Sequence, residues 1–493
     1  MSSPEEPAGA LERGLAVVRV LSAEPPYRPR RLRATDLVRL TGLARSTVDR
    51  IVATLVHLGY LRAEDREVLL APPLMELGEA YLACSGLPAA LASHAGRLAV
   101  ELDESTSLAV LDQSGARFVS RFTRRRTLSV VFRVGDLLPA DRCAAGLALL
   151  DPSRPWAEDD QLVEPGLVAV AVPVRDPAGA VVCALSVVSH TSRHTVSTLR
   201  ERALPAMRAT VAEMEAALAR AQSCGPPDTA GVDDSLAAKR ELGAGFLQSL
   251  ARGLAVLVSL GTARGGLTLA SAAKVTGLPR ATVRRALLVL ERLGYAAADD
   301  GRFVLLPRVL ELGYAPVSAR SFGEVVQPHL ADLVARVNES ASVAVLSGDE
   351  VVYVARVPTV SIMSVTIGIG TRFPAYATSM GRALLADLPE ERLAGIVPQP
   401  LTPYTVGSAA ELAAAVRQAA VDGYALVDQE LEEGVRSIAV PVRDRDGRAV
   451  AAVNVATHAG RGTPAELVRD VLPALLEAAA RMEADLAHVR VTP

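Results

Sequence analysis

The sequence predicts an α+β protein made of two tandem copies of one unit, and three observations support this fold class. First, the stretch TGLARSTVDRIVATLVHLGY at residues 41–60 returns as TGLPRATVRRALLVLERLGY at 276–295, with 11 of 20 positions identical. Second, each copy begins with Arg-rich segments of helical periodicity and continues into alternating strand-like and helix-like segments. Third, the chain has 493 residues, 50% of them hydrophobic, which is too long for one core.

The repeat extends far beyond this stretch and contains one large gap. ESTSLAVL at 104–111 matches ESASVAVL at 339–346 with the same separation of 235 residues, whereas VAVPVRDPAG at 170–179 matches IAVPVRDRDG at 438–447 with a separation of 268. The first copy therefore lacks 33 residues after Leu150, and we expect these to include the counterpart of the second copy's DQELEEG segment. Upstream, ERGLAVVRVL and ARGLAVLVSL lie 239 residues apart, so the first copy has four extra residues near PPYRPRRL.

Each repeated stretch is typical of a helix-turn-helix. In the second copy, Gly277 lies in the predicted turn, where it accommodates a positive φ, and Pro279 fits the first turn of the following helix. Apolar residues then recur at three- and four-residue spacing, which predicts a buried stripe. This stripe consists of Val283, Ala286, Leu287 and Leu290. The segment DDGRFVLL that follows is typical of a β-hairpin wing, and the first copy repeats the whole pattern around Gly42.

The outer face of the second helix carries hydrogen-bond donors near its start, as a recognition helix requires, because its N-terminal residues reach base edges in the major groove. The candidate DNA contacts of the second copy are Arg252, Arg280, Thr282, Arg284, Arg285 and, in the wing, Arg302. Those of the first copy are Arg13, Arg45, Ser46, Thr47, Asp49 and Arg50. Because Asp49 stands where the second copy has Arg284, we expect the two helices to read different half-sites.

Other roles remain open for these residues. Each arginine is compatible with a base contact, a phosphate contact or a solvated position, and Arg-rich amphipathic helices are common as solvated faces. A ligand-binding signalling module without DNA contact is therefore the alternative interpretation. DNA binding is favoured because both copies carry the turn glycine, the outward arginines and a wing. Further candidates for phosphate contacts are Arg28, Arg30, Arg31 and Arg33.

Four segments of the second half resemble the IclR family of bacterial transcription regulators. They are QSLARGLAVL (248–257), TGLPRATVRRAL (276–287), FPAYATSMGRALLA (373–386) and VDQELEEGVRSIAVPVRDRDGRAVAAVNVATHAGR (427–461). The most similar branch regulates protocatechuate, 4-hydroxybenzoate and β-ketoadipate catabolism, and the first half resembles the family more loosely. The resemblance implies a winged helix-turn-helix joined to a GAF-like effector-binding domain, with dimers formed through the winged domains. One chain would then supply both halves of the DNA-reading dimer.

The repeat and the resemblance together predict five segments. Winged helix-turn-helix domains span 1–83 and 245–317, and GAF-like domains span 84–221 and 318–493. The linker at 222–244 includes the Gly-, Pro- and Asp-rich sequence QSCGPPDTAGVDDS. The expected partners are double-stranded operator DNA, a small organic acid and a second chain, giving a homodimer that mimics a tetramer by pseudo-symmetry.

The effector site is expected at the start of a helix in the second GAF-like domain. There the backbone N–H groups of Ser379 and Met380 are able to hold a carboxylate, as helix N-termini do. The resemblance places its ligand at the same positions and adds four further residues. They are Asp428, Ser437, Asn454 and Ala456. Since Val427 and Ala456 replace the Asp and Ser that relatives often have, a larger or aromatic acid is favoured over a simple α-keto acid.

The first copy departs from this pattern, so its pocket is expected to be altered or lost. Ala169 stands in place of Ser437, Val188 in place of Ala456, and Ser186 in place of Asn454. The helix start reads Cys143-Ala144-Ala145. We expect the first GAF-like domain to have a structural role and the second to sense the effector.

Composition and motifs favour a cytoplasmic protein that needs no cofactor and is not an enzyme. The net charge of −3 is uninformative about DNA, because local clusters decide affinity. No basic leader with an apolar core and no membrane-length apolar run is visible, and four scattered cysteines fit a reducing compartment. His190 and His194 are four apart without the glutamate of a zinc protease motif, and no histidine is spaced to activate Cys143.

Overall fold

The computed structural model describes residues 9–23, 31–64, 66–113, 115–124, 132–220, 233, 235–318, 321–359, 368–393 and 395–489. It divides into two compact units, Met1–Ala319 and Arg320–Pro493. The first unit holds the whole first copy together with the second winged helix-turn-helix. The predicted contacts Arg28 and Arg30, and Cys224, lie outside the described residues.

The first winged helix-turn-helix follows the predicted order of elements. It consists of α1 Ala10–Ser22, β1 Leu32–Arg33, α2 Ala34–Thr41, α3 Arg45–His57, β2 Leu61–Glu64 and β3 Glu67–Leu70. Gly42 ends α2 at φ 69°, as the turn requires. The strands form a three-stranded antiparallel sheet in the order β1-β3-β2, which is the wing.

Two helices, α4 Met75–Ser85 and α5 Leu87–Leu102, lead from the wing into the first GAF-like domain. Its remaining elements are β4 Ser105–Asp112, β5 Gly115–Phe122, β6 Leu137–Pro139, α6 Ala144–Leu150, β7 Ala157–Asp160, β8 Leu167–Arg175, β9 Val181–His190 and α7 Val196–Arg220. The six strands form an antiparallel sheet in the order β6-β5-β4-β9-β8-β7. Helix α6 packs on a sheet face made of small residues, among them Ala109, Ala169, Ala171 and Ala184.

The second winged helix-turn-helix repeats the first after the short helix α8 Ser235–Leu242. It consists of α9 Gln248–Leu260, β10 Leu267–Thr268, α10 Leu269–Thr276, α11 Arg280–Arg292, β11 Ala296–Asp299 and β12 Arg302–Leu305. Helix α12, Tyr314–Ser318, follows. The sheet order β10-β12-β11 matches that of the first copy.

The second unit is one GAF-like domain. It consists of α13 Phe322–Val337, β13 Ser340–Ser347, β14 Glu350–Val357, β15 Arg372–Pro374, α14 Ser379–Leu385, α15 Glu390–Leu393, α16 Ala409–Asp422, β16 Ala425–Asp428, β17 Val435–Arg443, β18 Ala449–His458 and α17 Pro464–His488. The sheet order β15-β14-β13-β18-β17-β16 is that of the first copy. Helices α13 and α17 share one core with the sheet, and α14 and α16 share the other.

The structure corrects the position of the gap between the copies. Strand β7 and the turn after it correspond to β16 and DQELEEG, because Gln161 and Gln429 both have φ 60° and both side chains accept a glycine N–H at 3.1 Å. The prediction that the first copy lacks this segment was wrong. The missing residues are those between α14 and β16, which include α15 and α16. The turn is defined by its glutamine and glycine, so its acidic residues were a misleading signal.

Candidate nucleic-acid interface and effector site

The recognition helix of the second copy is built as predicted. Its buried residues are Val283, Ala286, Leu287 and Leu290. Arg280, Arg284 and Arg285 are exposed on the other side, and Thr282 is half-buried. Gly277 takes φ 65° in the turn, while Pro279 caps the helix with ψ 137° and is not its first residue. Because of the periodicity of the α-helix, the apolar residues lie on one face, which is buried, and the arginines lie on the other.

The wing of the second copy closes through Asp300 and Gly301, which have φ values of 43° and 73° and fit a type I′ hairpin turn. The Arg302 side chain begins at the tip side of this hairpin, but its Nη1 donates to the Gly266 carbonyl at 3.2 Å. The guanidinium is therefore partly engaged with the backbone at the base of its own sheet.

The recognition helix of the first copy presents a different surface. The Nε of Arg45 donates to both carboxylate oxygens of Asp49, at 2.8 and 3.1 Å. Ser46 and Arg50 are exposed, and Thr47 is half-buried. Upstream, Arg31 forms an ion pair with Glu64 at 2.8 Å, and Arg33 lies 4.0 Å from Glu67. Acidic residues therefore offset several cations of the first copy.

A cationic groove brings residues of the two copies together. It has a volume of about 310 Å³ and lies between α3 and α11. The residues that line it are Arg50, Lys239, Phe246, Leu247, Gln248, Ser249, Arg252, Thr282 and Arg285. A smaller adjoining cavity contacts Arg13, Thr47 and Arg50. Six of the predicted DNA-contact residues therefore share one surface, which their positions in the sequence do not reveal.

Arg13 and Arg252 occupy equivalent positions but have different surroundings. The Nη2 of Arg252 lies 2.6 Å from Asp233 Oδ2, and its Nε also donates to Ser235 Oγ at 3.1 Å. The Nε of Arg13 is buried and has no hydrogen-bond partner within the described residues. The segment before α8 therefore neutralises only the second of these arginines.

The two winged domains pack with reciprocal contacts. A Cβ added to Gly14 of α1 would meet the Leu250 side chain of α9 at 2.4 Å, and one added to Gly253 of α9 would meet Leu11 of α1 at 2.6 Å. Leu11 and Leu250 are equivalent in the repeat, as are Gly14 and Gly253. Reciprocal contacts between equivalent residues are the signature of a twofold axis. The two winged domains therefore form a pseudo-symmetric pair within one chain.

In the second GAF-like domain, five of the six predicted effector residues lie at the sheet face that carries α14. Ser379 and Met380 begin α14 and are buried, and the Ser379 hydroxyl donates to Ser437 Oγ at 2.8 Å. Strand pairing puts Ser437 beside Ala456, and both side chains point to the same face as Ala439, which packs in the α14 core.

Asn454 lies in the next row of the same face, paired with Ala439 on one side and Ser342 on the other. It is 4% exposed, and its Oδ1 has no hydrogen-bond partner within the described residues. Buried polar atoms are almost always satisfied, so an unsatisfied carbonyl oxygen facing α14 favours a ligand that donates a hydrogen bond there.

Asp428 does not belong to this site, and this corrects the prediction. Both of its oxygens accept from Arg436, at 2.9 Å each. Leu426, two residues earlier on β16, packs in the core of α13 and α17, so alternation puts Asp428 on that face and Val427 on the α14 face. Val427, which precedes the acidic run, pairs with Ser437, whereas Asp428 lies on the opposite face.

Sequence reasoning missed Arg356, which lies beside these polar residues. It pairs with Ser342, which in turn pairs with Asn454, so the three side chains share one sheet face. Burial lowers the pKa of the Arg356 guanidinium, which stays charged at neutral pH. A register shift between Val343 and Ala344 changes which face β14 residues occupy, so simple alternation along VVYVARV could not reveal this cation.

A buried ion pair joins α14 to the turn after β16. Arg382 on α14 donates to the Tyr376 carbonyl at 2.9 Å and contacts Glu430 at 2.5 Å. In the first copy both positions are leucines, Leu147 and Leu162. Loss of both charges together avoids leaving one of them buried and unpaired, which would be strongly destabilising.

The corresponding polar groups of the first copy contact each other. Ser107 and Ser186 hydrogen-bond to each other at 2.7 Å, which satisfies the polar group that replaces Asn454. The buried cluster under α6 contains Ala144, Ala145 and Val188, with Phe118 stacked on Phe132 at 4.9 Å. The row of the first copy, in which Ser107 pairs with Ser186 and Arg121, therefore differs from that of the second because its two serine hydroxyls satisfy each other.

The candidates for enzyme chemistry are engaged elsewhere. His190 hydrogen-bonds to Ser192 at 2.9 Å, and His194 lies 3.6 Å from Glu104. Burial raises the pKa of the Cys143 thiol to about 11, which disfavours the nucleophilic thiolate. No group of three or more metal-binding side chains occurs in the described part of the chain. None of the helices described is long and apolar enough to cross a bilayer.

Paired winged helices with a shared cationic groove, followed by a sheet domain with a buried polar row, are the features of a ligand-responsive DNA-binding protein. The IclR helix-turn-helix domain model matches residues 10–65 and 249–300, and that of the bacterial transcriptional regulator IclR C-terminal domain matches 152–216 and 315–484. The chain belongs to the IclR family of transcriptional regulators, with both domains present twice.

Individual relatives match about one copy of the unit. The chain is 44% identical over 248 residues to the Pca regulon regulatory protein of Pseudomonas putida, covering 49% of this chain and 84% of the relative. It is 36% identical over 242 residues to the p-hydroxybenzoate hydroxylase transcriptional activator of Acinetobacter baylyi, covering 47% and 88%. A solved structure of a transcriptional regulator from Rhodococcus sp. RHA1 shares 49% identity, covers 49% of this chain and 98% of its own, and has a TM-score of 0.46.

Proposed function

We propose that this protein is a single-chain IclR-type regulator whose two winged helices bind one operator and whose second GAF-like domain binds a small organic acid of an aromatic-degradation pathway. The reciprocal packing of α1 and α9 is the observation that carries the proposal. In a dimer of separate chains, such a contact would join two subunits, whereas here both halves belong to one polypeptide.

The cationic groove supports direct DNA contact. Arg50 of α3 and Arg285 of α11 line it together, so one duplex is able to contact both recognition helices. The guanidinium group of arginine donates two parallel hydrogen bonds, which suits both the edge of guanine and a phosphate group. A signalling module without DNA contact would have no need for two outward arginine faces on a shared surface.

The pocket of the second GAF-like domain supports an acidic effector. Arg356 supplies a cation for a carboxylate, while Ser437 and Asn454 supply hydrogen-bonding groups for ring substituents. Ala439 and Ala452, which pack against α14, are small neighbours of these groups on the same sheet. Relatives named for the Pca regulon and for p-hydroxybenzoate hydroxylase point to an acid of those aromatic pathways.

Calorimetric titration of the full chain with 4-hydroxybenzoate, protocatechuate and β-ketoadipate tests the effector. We expect one acid to bind saturably with one site per chain, and Arg356→Gln to abolish this binding. The first copy supplies a matched control, because Arg121 is the counterpart of Arg356 and Arg121→Gln should leave the affinity unchanged. Loss of binding in the Arg121 variant alone would overturn the assignment of the sensing domain.

Titration of the full chain onto duplexes from upstream of its own gene and its neighbours tests the DNA function. Specific binding that competitor DNA does not displace is the expected result. Binding that is equally weak on every duplex at low salt would favour the module without DNA contact. We further propose that two chains associate into a tetramer-like homodimer, which sedimentation equilibrium checks.

A further inference from the structure

The two recognition helices of the chain carry different charges at one pair of equivalent positions. Arg45 and Arg50 of α3 correspond to Arg280 and Arg285 of α11, but Asp49 corresponds to Arg284. The exposed start of α3 therefore has a net charge of +1 from these residues, and that of α11 has +3.

Asp49 changes the direction of a neighbouring arginine as well as the charge of the helix. Asp49 holds Arg45 through its Nε, with both carboxylate oxygens within 3.1 Å, although the two side chains remain 56% and 50% exposed. An exposed pair of this kind adds little stability. Its effect is to restrict the direction of the guanidinium and to put a carboxylate on the face that approaches bases.

The equivalent face of α11 has no such restriction. Within the described residues, no ion pair involves Arg280, Arg284 or Arg285. Arginine donates in a fork to O6 and N7 of guanine, whereas a carboxylate accepts from the N4 amino group of cytosine and is repelled by guanine acceptors and phosphates. The two helices therefore prefer different base pairs at the same position of their half-sites.

We infer that Asp49 is a specificity-determining residue that makes the operator asymmetric, so that the chain binds it in one orientation. The preferred duplex has guanine under Arg284 of α11 and cytosine under Asp49 of α3. Fusion of the two copies makes an asymmetric operator possible. A dimer of identical chains would present two identical recognition helices, whereas the packing of α1 on α9 pairs α3 with α11. This inference rests on the proposed DNA-binding function.

Selection from a random duplex library by the full chain, followed by sequencing, tests the inference. The wild type should enrich a site whose two halves differ, and Asp49→Arg should enrich a palindrome made of two copies of the α11 half-site. On the wild-type site, Asp49→Arg should weaken binding about tenfold or more, as expected for a lost base preference.

Arg284→Asp is the matched reciprocal variant, and it should enrich the opposite palindrome. Asp49→Asn, which keeps the shape of the side chain, should relax the preference at one base pair without creating a palindrome. A palindrome enriched by the wild type, or an unchanged motif with Asp49→Arg and Arg284→Asp, would overturn the inference while leaving DNA binding intact. Enrichment of no duplex by the wild type would instead refute the proposed function itself.

Discussion

Arg285 contributes to the groove between the recognition helices, and its role differs from that of its neighbours. It is exposed on α11 and lines the same groove as Arg50 of the first copy. By contrast, Arg45, Arg252 and Arg302 already make contacts within the chain. Arg285, for which no such contact occurs among the described residues, is therefore a better candidate for a sequence-specific DNA contact than these three arginines.

We expect Arg285→Ala to lower affinity for the specific operator by about 1–3 kcal/mol if Arg285 contacts a base. Fluorescence anisotropy on matched and mismatched duplexes measures this loss. Arg469→Ala, an exposed position on α17 paired with Asp470, is the control and should bind normally. An equal loss on all sequences with a flatter salt dependence would indicate a phosphate contact instead.

Glu76 gives the chain a pH dependence that a single residue controls. Burial, with a smaller contribution from Glu79, raises the pKa of Glu76 to about 7, and its carboxylate accepts from the Tyr60 hydroxyl. A carboxyl group with a raised folded-state pKa stabilises the fold fully below its unfolded value and loses this contribution as pH rises through the folded value.

The free energy of unfolding should therefore fall by on the order of 1 kcal/mol between pH 5 and about 7. Glu76→Gln should reduce this slope in urea denaturation, while the exposed Glu101→Gln variant should retain it. A wild-type slope of the opposite sign would show that the Glu76 carboxyl is not protonated in the folded state.

At the scale of elements, close backbone contacts hold the second winged domain against the first copy. A Cβ at Gly261, which ends α9, would lie 2.5 Å from Ala80 Cα of α4. The φ of Gly261 is −70°, so any residue could adopt its backbone conformation and only space requires glycine. Helix α4 thus links the first wing, the first GAF-like domain and the second winged domain.

Gly261→Ala should destabilise the first unit by about 1–3 kcal/mol, because backbone atoms cannot move aside as flexible side chains do. Urea unfolding followed by circular dichroism measures the change. Gly245→Ala is the control, since no heavy atom lies within 4 Å of its added Cβ. Equal stability of both variants would mean that α9 and α4 are less tightly packed than in this structure.

At the scale of the whole molecule, duplication has allowed the copies to specialise. The first GAF-like domain lacks α15, α16 and the Arg382–Glu430 pair, and serine replaces Asn454 in its polar row, while its sheet order is unchanged. Its helices and strands still connect the two winged domains. The first copy has therefore retained the sheet scaffold, while the second has in addition α15, α16 and the buried ion pair.

Effector and operator binding should be coupled in the intact chain. Because such coupling is reciprocal, a saturating operator should change the effector affinity by the same factor by which the effector changes operator affinity. Titrating each ligand in the presence of the other measures both factors. Arg356→Gln should bind the operator normally but show no effect of the acid.

The sequence alone determined the duplication, the helix-turn-helix elements and the buried stripe from Val283 to Leu290, because these depend on local periodicity and on glycines that take a positive φ. Three features depend on the packed fold: Asp428 faces away from Ser437, Arg356 shares a row with Asn454, and the gap lies at α15 and α16. Side-chain direction in a sheet depends on register, which strand pairing and bulges set. The groove shared by Arg50 and Arg285 likewise depends on the packing of the two copies, whereas the ion pair of Arg45 with Asp49 is a local i,i+4 contact within α3.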